Sequence, residues 1–97
     1  MKPGETALLA STLVNDSRMK EYGDPTNTFI YAARVLEALT GVLLTPSTMC
    51  YAMVAVKLAR EMHKHKSDNL VDACGYLSII NSLLENQDDS ELNDPRR

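Results

Sequence analysis

Tryptophan is absent from this chain, and phenylalanine occurs once, at Phe29. That scarcity argues against a stacking platform for single-stranded nucleic acid, which lays successive bases on aromatic rings. No single charge dominates either: 10 Lys and Arg stand against 13 Asp and Glu, for a net charge of −3. A binder of duplex nucleic acid works through a basic face that neutralises phosphates, and no such face is present. The main apolar run, 49–62, is interrupted by Lys57, Arg60 and Glu61 and is too short to span a bilayer, so no membrane partner is expected. Strand signals are missing too, with no period-2 alternation and no Asn-Gly turn. There is no P-loop, no GxGxxG and no zinc-finger spacing, and Ser and Cys lack a recognisable His and acid arrangement. The two cysteines, Cys50 and Cys74, lie in apolar helical runs, which predicts reduced, buried thiols. No secretory leader is read at the start, and the expectation is a soluble protein of a reducing cytoplasm.

What is present is organised around Ser47 to Leu84. From Met49 to Met62 nearly every residue is apolar, which predicts a helix buried around most of its circumference. Thr45-Pro46 supplies an N-cap followed by proline at the first helical position, and this helix is expected to run to about His65. Ser67 is the expected cap of the next, with Asp68 in its first turn, where a negative charge suits the helix dipole. That helix should run to about Glu85, antiparallel to its neighbour because the connection is short.

Upstream, the spacing predicts a first helix from about Glu5 to Tyr22, with Leu9 and Leu13 on its stripe and Leu8, Val14 and Met19 beside them. Gly23 suits a left-handed C-terminal cap, and Asp24-Pro25 cannot continue the helix. A second helix over roughly 27–40 has its N-cap candidates in Thr26-Asn27-Thr28 and ends at Gly41; Phe29, Ala33, Leu36 and Thr40 share one face. The expected boundaries are a frayed 1–4, one helical domain over 5–86, and a disordered acidic tail over 87–97. The fold class is all-α, a small four-helix bundle with an antiparallel hairpin of its third and fourth helices. A lone bundle cannot bury a helix that is apolar on almost all sides. The surplus predicts a partner that is another copy of the chain, in a homodimer or higher oligomer.

The polar residues of the hairpin form the candidate site. Lys57 and Arg60 are i, i+3 on the third helix; Asp68 and Asp72 are i, i+4 on the fourth, and Tyr76 continues that stripe. In an antiparallel hairpin Arg60 falls near Asp68, and Lys57 reaches the level of Asp72 or Tyr76. Two readings stand side by side. One is an ion-pair ladder that holds the hairpin in register. The other is a pocket with cations for phosphates, Asp68 and Asp72 for a divalent metal or a ribose hydroxyl, and Tyr76 for a base or sugar. Mid-helix Gly75 costs roughly 1 kcal/mol against alanine, and a close helix approach is its expected purpose. Arg18 would add a phosphate contact, and Asn27 would bond a base or a metal through its amide; as structure, the string from Arg18 through Tyr22 to Phe29 is a helix end, a turn and a new start. His63 and His65 diverge on a helix, and with Lys64 and Lys66 they read as a solvated helix end.

The order Arg18-x-x-x-Tyr22-Gly23-Asp24-Pro25, then Asn27 and Phe29, Leu44-Thr45, Lys57-x-x-Arg60 and Asp68-Asn69-x-x-Asp72-x-x-Gly75-Tyr76 resembles a small all-helical domain family of bacteriophages and prophages, of unknown function. The likeness covers roughly Arg18 to Leu84. More distantly, the chain is similar to phage domains associated with nucleotide modification and to MazG-like all-α nucleoside triphosphate pyrophosphatases. Those enzymes hold magnesium on ExxE and ExxD carboxylates of neighbouring helices and work as dimers or tetramers. This chain departs from them: Glu37 and Glu61 are isolated, and only Asp68 and Asp72 pair. The resemblance implies an all-helical oligomer with a polar site at its interface for a phosphorylated nucleotide or a nucleotide-derived signal. Its ligand-binding set would be Arg18, Tyr22, Asn27, Lys57, Arg60, Asp68, Asn69, Asp72 and Tyr76, with no catalytic residue assigned and Asp68 and Asp72 as magnesium ligands. Three functions follow: a phage accessory protein that sequesters such a ligand to evade host defence, a magnesium-dependent nucleotide pyrophosphohydrolase, or a non-enzymatic structural or protein-inhibiting module.

Overall fold

A computed structural model describes residues 1–17, 20 and 23–86, and these are all helix and connecting turn. The elements in order are α1 (Glu5–Thr12), a π-helical extension of it (Leu13–Ser17), α2 (Pro25–Thr40), α3 (Pro46–His63) and α4 (Ser67–Glu85). The 87–97 segment expected to be a disordered tail lies outside the described residues, as does the end of the first helix at Tyr22.

Local chemistry explains most boundaries. Thr45 caps α3, accepting from the Thr48 N–H at 3.3 Å, and Pro46 takes the first helical position, where no N–H is needed. Gly41 ends α2 at φ 75, a left-handed conformation that costs glycine nothing. The start of α2 differs from expectation. Its N-cap is Asp24, whose Oδ1 accepts from the backbone N–H of Thr26 at 2.9 Å and from its hydroxyl at 2.8 Å. Pro25 thus opens the helix, and Asn27 and Thr28 are exposed residues of its first turn.

The start of α4 is a second correction. Its N-cap is Lys66, which has no capping side chain of its own. The orphan donor there is met from the preceding helix: Glu61 accepts from the Lys66 backbone N–H at 2.9 Å and from the Asn69 side-chain amide at 3.2 Å. His65 also pairs with the Glu61 carboxylate. Glu61 therefore locks the turn, and the bond from His65 is the main reason its carboxyl lies below the ordinary value of 4.5.

The first helix is not a uniform α-helix. From Leu13 to Ser17 it widens to π geometry. Ser11, Thr12, Asn15 and Asp16 crowd this stretch with residues prone to compete for backbone hydrogen bonds; the Thr12 hydroxyl bonds the Leu8 carbonyl at 3.2 Å. The buried residue of α1 is Ala10, and the expected stripe residues Leu8 and Leu9 are exposed. Ala10, Leu13 and Val14 instead line a small cleft against Val71, Gly75 and Ile79 of α4. Gly75 is what permits this approach, since a Cβ there would lie 3.2 Å from Val14 Cγ2.

The core unites Phe29 of α2, Cys50 and Val54 of α3, and Ala73, Ile79, Ile80 and Leu83 of α4, with Met49, Met53 and Tyr76 packed on it. Both thiols are free; Cys50 is buried and Cys74 half-buried. Burial pushes the Cys50 thiol up to about 12, and its Sγ–H donates to the Tyr76 carbonyl at 3.3 Å. Among the described residues no helix is long and apolar enough to cross a membrane.

Candidate functional site

The antiparallel hairpin of α3 and α4 carries the polar residues to its turn end. Lys57 Nζ lies 2.9 Å from Asp72 Oδ2, and both side chains are mostly shielded, at 17% and 15% exposure. One rung of the expected ladder therefore forms. The second does not: Arg60 and Asp68 are exposed, and Arg60 has no ion pair among the described residues. An arginine and an aspartate that face solvent gain little from pairing, so nothing compels them to meet.

Around the Lys57–Asp72 pair the hairpin opens into a groove of about 910 Å³. One wall carries Lys57, Arg60, His63 and Lys64, and the far wall carries Lys66, Asp68, Asn69 and Asp72. Lys64, Lys66 and His63 are groove residues that sequence reading placed in a solvated helix end. Their signal was the run of basic residues itself, which borders a groove on both sides only when the chain turns back at Lys66. Asp68 and Asp72 share the groove at i, i+4, but no group of three His, Cys, Asp or Glu gathers among the described residues to hold a metal by itself. Asn69 is buried at 8% exposure and is committed to Glu61, so it shapes the turn as well as bordering the groove.

Tyr76 does not line the groove, although it shares with Asp72 the small cleft against α1. Its ring meets Phe29 edge-on, centroids 5.9 Å apart at 88°, on the wall of a second cavity of about 340 Å³. Met49 and Met53 of α3 and Gly23, Pro25 and Thr28 at the start of α2 complete that apolar cavity. Groove and cavity are one helical turn apart along α4, with Asp72 on the first and Tyr76 on the second. Asn27 is exposed on α2 and lines neither, while Arg18 and Tyr22 lie outside the described residues.

Chemically, the groove offers charge-assisted hydrogen bonds from Lys and Arg to an anion, beside two carboxylates that prefer a cation or a hydroxyl. The cavity offers an aromatic edge and two thioethers, suited to a flat apolar group. No match was found among curated proteins or among solved structures. A family model does match, over residues 7–84, a span that holds both the groove and the cavity. The chain belongs to the domain family of unknown function DUF6378.

Proposed function

We propose that the protein binds a phosphorylated nucleotide or a nucleotide-derived signal, its phosphates in the hairpin groove and its base toward the apolar cavity. The observation that carries this reading is the cationic wall of Lys57, Arg60 and Lys64, one helical turn from an aromatic cavity lined by Phe29 and Tyr76. A nucleotide has the same two parts, an anionic one and a flat aromatic one. The cavity volume of about 340 Å³ falls in the ordinary range for small-ligand sites. Magnesium would enter with the phosphates, on Asp68 and Asp72, because this ion is commonly held by one or two carboxylates plus phosphate oxygens. With no third carboxylate beside that pair among the described residues, binding without turnover is the favoured form. On that reading the protein is a phage accessory protein that sequesters its ligand in the cytoplasm of a bacterial host, in evasion of host defence. Turnover would make it a MazG-like pyrophosphohydrolase instead.

The test is a thermal-shift screen against nucleoside mono-, di- and triphosphates and cyclic di- and trinucleotides, with and without magnesium, followed by chromatography of the ligand. A binder of the folded state raises the melting temperature by linkage. The expected result is a shift that Arg60→Glu abolishes, with the ligand recovered intact. Magnesium-dependent product would establish the hydrolase.

A second reading rests on the Lys57–Asp72 pair, whose shielding is that of a structural ion pair. On that reading the protein is a structural or protein-inhibiting module. An absence of any shift across the panel would put this reading ahead of the nucleotide site.

A further inference from the structure

The α3–α4 hairpin has two broad faces, and the other helices cover only one. Met49 and Met53 of α3, with Gly75, Tyr76 and Ile79 of α4, turn toward α1 and α2. Helical periodicity places Tyr51, Ala55, Leu58 and Met62 of α3 on the other side, spaced four, three and four residues apart. On α4, Leu70, Leu77 and Leu84 repeat every seven residues along the same side. All six large residues of this face are exposed, Met62 at 89% and Leu77 at 49%. Alanines 52 and 55 lie beside them, and no charged side chain interrupts the face from Thr48 to Met62 or from Leu70 to Leu84.

We infer that this face binds a second copy of the same chain, hairpin on hairpin, about a two-fold axis. Three observations commit the face to that occupant. First, its six large residues, exposed from 39% at Leu70 to 89% at Met62, leave on the order of 700 Å² of surface uncovered, close to what one partner contributes to an interface of standard size. Second, a two-fold contact sets a patch against itself, and a patch without charge meets itself without repulsion. Third, the four-three-four and seven-residue spacings are those of helices that pack knob into hole, and alanines let the helices approach. Two stacked hairpins make an intermolecular four-helix arrangement. The charged groove faces away from it, so each copy keeps its groove open, and the inference does not depend on nucleotide binding.

Sedimentation analysis of the full chain over a dilution series tests it. The expected species has the mass of two copies. Leu77→Glu buries a charge from each copy in the apolar interface and should raise the dissociation constant by about 100-fold or more, leaving monomer. Because Leu77 is already half-exposed, far-UV circular dichroism should show the variant as helical as the parent. Val35→Glu tests the other exposed apolar stripe, that of Tyr31, Val35 and Leu39 on α2, and should leave the dimer intact. A monomeric parent at every concentration overturns the inference and assigns the face to a different partner. A dimer that survives Leu77→Glu, or that Val35→Glu dissociates, overturns it as well, as does a mass of three or more copies.

Discussion

At one end of the α3–α4 hairpin, Cys50, Val54, Ile80 and Leu83 are held by apolar burial, whereas at the turn end Lys57, Glu61, Asn69 and Asp72 are held by charge and hydrogen bonds. Burial of apolar surface is undirected and stabilises in proportion to area, so it tolerates no loss of volume but asks for no particular partner. The polar end depends on geometry. Glu61 serves the Lys66 N–H, the Asn69 amide and His65 at once, and few other side chains could replace it. The difference teaches where this molecule can change. The apolar end fixes stability, and the polar end has side chains to spare for a ligand.

The largest expected effect breaks the apolar end. Leu83→Ala removes a fully buried side chain and should cost about 3 kcal/mol in urea unfolding. A loss below about 1 kcal/mol would mean that this end is not the anchor. Next is Lys57→Met, which removes the ammonium that lies 2.9 Å from the shielded Asp72 carboxylate. Since neither group is fully buried, the cost should be about 1–2 kcal/mol rather than that of a deep pair.

A smaller effect sharpens the polar side through pH. The Glu61 carboxyl titrates below its ordinary value of 4.5, chiefly because of the bond from His65. A lowered folded value means that its contribution is present above the unfolded value and is lost as pH falls through the folded one. Glu61→Gln should therefore lower the melting temperature at neutral pH, and the gap from the parent should close in acid. A gap that persists unchanged in acid would contradict the role of this carboxylate. The smallest effect on stability is that of Arg60→Ala, within about 0.5 kcal/mol, because Arg60 is exposed and unpaired among the described residues. Its effect on nucleotide affinity should be large. Equal losses of stability for Arg60→Ala and Lys57→Met would erase the distinction between groove and ion pair.

Much of the fold was legible because its signals are local. Thr45-Pro46, Gly41 and the apolar run of 49–62 each act through their own backbone or their immediate neighbours. Asp24 was misread for the same reason in reverse: its proximity to Pro25 reads as a stop, while its side chain makes it a start. Glu61 was illegible as a cap, since it lies in another helix and reaches Lys66 only after the chain has turned. The polar set was found as residue types on two faces, but Tyr76 and Lys66 were sorted by the packing. Phe29 draws Tyr76 to the apolar cavity, and the turn carries Lys66 into the groove.

By itself, then, the sequence determined that the described chain is helical, where most helices begin and end, and that α3 and α4 run antiparallel across a short turn. Capping and periodicity decide these, and both act within a few residues. Only the tertiary structure decided which side of the hairpin α1 and α2 would cover. Apolar residues ring α3 on nearly every side, and burial has no direction, so the choice fell to the fit of Val14 over Gly75 and of Phe29 against Tyr76. That choice also left Leu70, Leu77 and Leu84 facing outward.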